Sequence, residues 1–83
     1  MDRAQLVVSL RQAWQEVLDV EVTDGSDFYE LGGNSLSAAE VATRIVEGHP
    51  DVADLDLVTL TAILEESRFD SVVDAICAEL GVA

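Results

Sequence analysis

A serine that follows two glycines and an asparagine is the residue of this chain best suited to chemistry. In the run Gly32-Gly33-Asn34-Ser35, the glycines permit a tight turn and leave room for a large partner to approach the backbone. Asparagine is favoured at the position before a helix, so Ser35 would stand at a helix start. Unpaired amides and the helix dipole there favour a negatively charged substituent. The pattern predicts an exposed hydroxyl suited to a phosphate ester.

Ser35 is not predicted to catalyse a reaction itself. The only histidine, His49, lies beyond the far end of the predicted helix, and a serine nucleophile without a base is weak. The G-x-S-x-G pattern of hydrolases also fails, because Ser37 stands in place of the second glycine. The aspartates match no calcium-binding loop, and we predict no metal site. We therefore interpret the chain as a non-catalytic protein whose Ser35 is the substrate of another enzyme.

Four segments with helical periodicity surround this serine. Apolar residues three and four positions apart mark each segment, and glycine followed by proline ends the second one after Glu47. The predicted helices run from Leu6 to Leu18 with Asp2 as N-cap, from Ser35 to about Glu47, over a short stretch with Leu57, Leu60, Ile63 and Leu64, and from Phe69 to Leu80. We predict an all-α fold, a small bundle of three main helices plus one short helix.

A long loop is predicted between helices one and two, from Asp19 to Asn34. It has no sustained period and contains several turn-forming residues. Phe28 and Leu31 would pin it to the core. A loop of this length often carries function. The 83 residues make a single domain, 1–83, with one core and no room for a deep active site.

Charge indicates the class of partner, and cysteine content indicates the cellular compartment. The chain has 17 acidic residues against four arginines and a formal charge of −13. Such a surface repels nucleic acid and anionic membranes, so we expect partners with basic patches, although acidity can also simply keep a small domain soluble. The lone Cys77 fits a reducing compartment, and no apolar run reaches membrane-spanning length. We expect a cytoplasmic monomer.

The segment Asp27-Phe28…Leu31-Gly32-Gly33-Asn34-Ser35-Leu36 resembles the phosphopantetheine attachment motif of carrier proteins. Its Gly-Gly-x-Ser-Leu form is more similar to peptidyl carrier proteins (thiolation domains) of nonribosomal peptide synthesis than to fatty-acid acyl carriers, where Asp-Ser-Leu is usual. The order of predicted elements also resembles the family, so the likeness covers essentially the whole chain.

Two features of the chain bear on this resemblance. Peptidyl carriers often have a Phe-Glu-His-Pro-Thr-like stretch before the last helix, where this chain has the segment 64–68, Leu-Glu-Glu-Ser-Arg. This departure leaves the identity of the partners open. The chain begins with Met1 and stops shortly after Leu80, so we expect a free-standing carrier unless it is an excised domain.

The resemblance implies a cofactor, a function and partners. A phosphopantetheinyl transferase would attach 4'-phosphopantetheine covalently to Ser35, which Gly32, Gly33 and Asn34 would present. The arm would tether an aminoacyl or peptidyl group as a thioester and shuttle it between enzymes of a nonribosomal peptide pathway. The further partners would be an adenylation or other acyl-activating enzyme and condensation or tailoring enzymes, with Leu36 and Val41 as exposed apolar contacts.

Two alternatives stay open. Within the carrier class, the chain could be an acyl carrier protein of polyketide or related assembly. In another class, it could be an acidic helical adaptor that is never modified, although an adaptor has no need of a bare serine behind a flexible turn.

Overall fold

Four α-helices form the fold in the computed structural model, which describes residues 1–82. They are α1 (Arg3–Leu18), α2 (Ser35–Gly48), α3 (Leu55–Glu66) and α4 (Phe69–Leu80). Within the described residues, the only extended pairing is one antiparallel bridge between Asp27 and Arg68. The all-α bundle and the long loop between α1 and α2 are therefore confirmed.

Helix α1 begins where the sequence predicted a cap. Asp2 accepts a hydrogen bond from the Gln5 amide (2.8 Å), and the Gln5 side chain accepts one from the Asp2 amide (2.9 Å). This reciprocal pair satisfies two amides that the helix itself leaves without partners. The buried face of α1 consists of Leu6, Leu10, Ala13 and Trp14.

Helix α3 is longer than its apolar pattern predicted. It has 12 residues, as many as α4. Its buried positions are Leu55, Thr59, Ala62 and Ile63, whereas Leu57 and Leu64 are 62% and 46% exposed. The helix begins at Leu55, two residues before the predicted stretch, and ends at Glu66, two residues after it. The helix contacts both α2 and α4.

Three aromatic rings at the centre of the core join the loop to the bundle. Trp14 packs edge-on against Phe28 (centroids 4.9 Å apart) and against Phe69 (5.1 Å). Edge-to-face pairs of this kind add to the stabilisation from burial. Phe28 is fully buried and Leu31 is partly buried against the same core. The prediction that these two residues pin the loop is confirmed.

The four arginines lie on the surface and all form ion pairs. The pairs are Arg3–Asp74, Arg11–Asp24, Arg44–Glu16 and Arg68–Asp70. Exposed pairs of this type contribute little to stability individually. No helix in residues 1–82 is both long and apolar enough to cross a bilayer.

Candidate functional site

The turn that leads to Ser35 is wound around Phe28. The Gly33 amide donates to the Phe28 carbonyl (2.9 Å), the Gly32 amide to the Tyr29 carbonyl (3.1 Å), and the Leu31 amide to the Asp27 carbonyl (3.1 Å). Because the Phe28 ring is held in the core, these bonds place the turn on the body of the protein.

The two glycines serve different structural purposes. Gly32 has a φ of +96° and open space around it, so its backbone conformation is the reason for glycine. At Gly33 an added Cβ would lie only 2.4 Å from two carbons of the Phe28 ring. The missing side chain of Gly33 therefore accommodates Phe28 inside the protein, rather than an approaching partner as the sequence suggested.

Asn34 caps α2 and engages the nearby serine, Ser37. The Asn34 side chain accepts from the Ser37 amide (2.9 Å) and the Ser37 hydroxyl (3.0 Å), while that hydroxyl accepts from the Asn34 amide (2.9 Å). The predicted cap is confirmed. The reciprocal role of Ser37 was missed, because the usual signal three residues after the cap is a glutamate or glutamine rather than a serine.

Ser35 is exposed at the first position of α2. Within residues 1–82 its hydroxyl has no hydrogen-bond partner, in contrast to Ser37. The first helical bond runs from the Ala38 amide to the Asn34 carbonyl (2.9 Å), so the amides of Ser35 and Leu36 precede the helical ladder. Free amides and the helix dipole make this position favourable for an anion.

The two predicted partner contacts differ in the structure. Leu36 is 70% exposed and borders a shallow depression on α2 that Ala39, Glu40 and Thr43 also line. Val41 is fully buried in the core, so the prediction that it is an exposed contact is wrong. Five residues along a helix turn the side chain by about 140°, which directs Val41 to the interior face when Leu36 lies outside.

Asp27 anchors the start of the same turn. One carboxylate oxygen accepts from the amides of Tyr29 (2.9 Å) and Glu30 (3.2 Å), and the other accepts from the Ser67 hydroxyl (2.9 Å). The Ser67 hydrogen bond and then these amides lower the pKa of Asp27 below its ordinary value. Sequence reasoning missed this contact because Ser67 lies 40 residues away.

The histidine lies at the opposite end of α2 from Ser35. His49 shares a 2.8 Å hydrogen bond with Ser9 of α1. With about 1.5 Å of rise per residue, the 14 residues of α2 put it at the far end of the helix. The single histidine of the chain is thus remote from Ser35.

Comparison with known proteins gives the family. Residues 8–65, which include the turn and Ser35, match the family described as "Phosphopantetheine attachment site". The chain belongs to this family of carrier domains. Its members carry 4'-phosphopantetheine covalently on a serine and are generally non-catalytic.

The chain is also similar to part of a much longer protein. The chain is 34% identical over 70 residues to the nonribosomal peptide synthetase tpzA of Aspergillus terreus. The aligned part covers 81% of this chain but only 3% of that protein. No solved structure shows significant similarity to the chain.

Proposed function

We propose that Ser35 is the serine that carries 4'-phosphopantetheine in this carrier domain. The observation that supports it best is the contrast between two neighbouring serines. The Ser37 hydroxyl is bound to both the amide and the side chain of Asn34, whereas Ser35 is exposed at the first position of the helix. Ser35 is thus the hydroxyl that a transferase can reach without opening the cap.

The attachment forms one phosphoester bond. The Ser35 oxygen bonds to the phosphorus that carries the pantetheine arm in coenzyme A, and the bond from that phosphorus to the adenosine bisphosphate leaving group breaks. The hydroxyl proton passes to a base of the transferase, since the carrier has no histidine at this end of α2. The free amides at the helix start then stabilise the phosphate charge.

The loaded arm supplies a thiol that holds an acyl group as a thioester. We infer that this group is aminoacyl or peptidyl and that the carrier passes it between the enzymes of a nonribosomal peptide pathway. The Gly-Gly-Asn-Ser-Leu sequence at 32–36 and the similarity to a nonribosomal peptide synthetase support this use over polyketide assembly.

We also propose a set of partners and a compartment. The partners are the phosphopantetheinyl transferase, an adenylation or other acyl-activating enzyme, and condensation or tailoring enzymes. Leu36, which is 70% exposed next to the attachment site, would contact them, and the acidic surface favours basic patches on them. The single cysteine, Cys77, agrees with a reducing compartment, so we place the reaction in the cytoplasm.

The mass of the intact protein tests the attachment site. The protein is incubated with coenzyme A, Mg²⁺ and a broad-specificity transferase, alongside Ser35→Ala and Ser37→Ala. We expect one added group on the native protein and on Ser37→Ala, and none on Ser35→Ala. A gain by Ser35→Ala, or an unmodified native protein when a control carrier is fully converted, would refute the proposal.

A further inference from the structure

A short antiparallel pairing ties the loop before Ser35 to the turn between α3 and α4. The Phe28 amide donates to the Ser67 carbonyl (2.8 Å), and the Phe69 amide donates to the Ser26 carbonyl (2.8 Å). A third bond runs from the Asp70 amide to the Asp24 carbonyl (3.0 Å). The loop is therefore attached to a part of the protein that is distant in sequence.

The Asp27 carboxylate strengthens this attachment and extends it toward Ser35. One oxygen accepts from the Ser67 hydroxyl at 2.9 Å, while the other accepts from the Tyr29 and Glu30 amides. One side chain thus holds both the α3–α4 turn and the turn that leads to Ser35. We call the hydrogen bond between these two side chains the Asp27–Ser67 clasp.

Contacts continue without a break from the clasp to the attachment site. Phe28, the residue after Asp27, accepts from the Gly33 amide and packs its ring against the Cα of Gly33. Gly33 adjoins Asn34, which caps the helix that begins at Ser35. A displacement at the clasp would therefore reach Ser35 through this series of contacts.

Ser67 has an unusual backbone for its residue type. Its φ is +56° and its ψ is −33°, in a region that residues other than glycine rarely adopt. The conformation is held by a hydrogen bond from the Ser67 amide to the Ile63 carbonyl (3.0 Å) and by the bond from Phe28 to the Ser67 carbonyl. Strained residues of this kind persist where their surroundings hold them, and they often occur at functional sites.

We propose that Asp27 and Ser67 are positioning residues for the modification of Ser35. The clasp holds the loop in one orientation against the α3–α4 turn, so the transferase meets a preformed turn with Ser35 at its end. This inference rests on the proposed function. It adds that Ser67, 40 positions from Asp27, controls how well the carrier serves as a substrate.

The first test is steady-state loading with the carrier as the varied substrate. For Ser67→Ala we expect the KM for the carrier to rise about five-fold with little change in kcat, because only the clasped fraction of molecules is competent to bind. Asp27→Ala, which also removes the acceptor for two turn amides, should raise KM further. The double variant should be no worse than Asp27→Ala alone, because the two residues share one interaction.

A matched control separates positioning from general destabilisation. Ser9→Ala also removes one partly buried side-chain hydrogen bond between residues 40 positions apart, but it joins α1 to His49. It should load with the native KM. If Ser67→Ala folds poorly, Ser67→Gly removes the same hydroxyl and relieves the positive φ. Ser67→Asn, whose amide can donate to Asp27 and which tolerates positive φ better than most residues, should restore part of the native KM.

Amide hydrogen exchange in the unloaded carrier provides a readout independent of the transferase. We expect the Phe28 and Gly33 amides to exchange several-fold faster in Ser67→Ala than in Ser9→Ala, because opening the clasp releases the loop locally. Equal KM values and equal exchange in the two variants would overturn the positioning role. A native carrier that is never loaded would instead refute the proposed function, while the exchange experiment would still report on the clasp.

Discussion

Replacing Gly33 with alanine tests whether packing against Phe28 sets the turn before Ser35. The added Cβ would lie 2.4 Å from two ring carbons and 2.6 Å from the carbonyl oxygen of Phe28. A relaxed carbon–carbon contact is about 3.5 to 4.0 Å, so the turn and the ring must separate by about 1 Å. The ring cannot retreat freely because Phe28 is fully buried and packs edge-on against Trp14 at 4.9 Å.

The expected cost is large for a domain of this size. Overpacking a well-filled core costs about 1 to 3 kcal/mol, and a displaced Phe28 also loses part of its contact with Trp14. We expect Gly33→Ala to lower the free energy of unfolding by about 3 kcal/mol, at the upper end of that range. A melting temperature lower by about 12 to 24 °C would follow for a domain of this length.

Two other glycines serve as controls in thermal and urea unfolding followed by circular dichroism. An added Cβ at Gly48, at the end of α2, meets no atom within 4 Å, so Gly48→Ala should be neutral or stabilising by up to about 1 kcal/mol. Gly32 also has open space but a φ of +96°, so Gly32→Ala should cost about 1 to 2 kcal/mol through backbone strain alone. If Gly33→Ala is as stable as Gly48→Ala, the packing argument is wrong.

Three further predictions concern the surface, salt and acid. Leu36→Ala should change the free energy of unfolding by less than about 0.5 kcal/mol yet slow loading several-fold, whereas buried Val41→Ala should cost about 2 kcal/mol; normal loading of Leu36→Ala would contradict its partner contact. The melting temperature should rise from low to moderate salt, because screening weakens the self-repulsion of a −13 charge; a steady fall would show that ion pairs dominate. The pKa of Asp27 in the folded protein lies below its ordinary value of 3.8. The ionised Asp27 carboxylate therefore adds to the free energy of unfolding above pH 3.8, and this stabilisation disappears as the pH falls through the lower folded pKa. The difference in free energy of unfolding between the native protein and Ser67→Ala, measured by urea titration, should decrease below pH 3.8. An increase in this difference would contradict the lowered pKa of Asp27.

The features that could be predicted from the sequence depend on neighbouring residues. The caps at Asp2 and Asn34 act within three positions along the chain, so their residue types suffice to place the starts of α1 and α2. Helical periodicity likewise reflects positions only three or four apart, which is why the all-α class was predicted correctly. The carrier family also follows from a contiguous run of residues around Ser35.

The remaining features depend on which surfaces meet when the helices pack. Leu36 and Val41 are both apolar residues of α2. Helix geometry places them on different faces, and the positions of the neighbouring helices decide which face is buried. The ends of α3 could not be predicted from its apolar pattern, because Asp56 near its start and Glu65 and Glu66 at its end are acidic. Only the burial of Leu55 in the core shows that the helix reaches this residue. The Asp27–Ser67 clasp joins residues 40 positions apart, and no local pattern encodes such a pair, because its geometry exists only after the loop has docked on the α3–α4 turn.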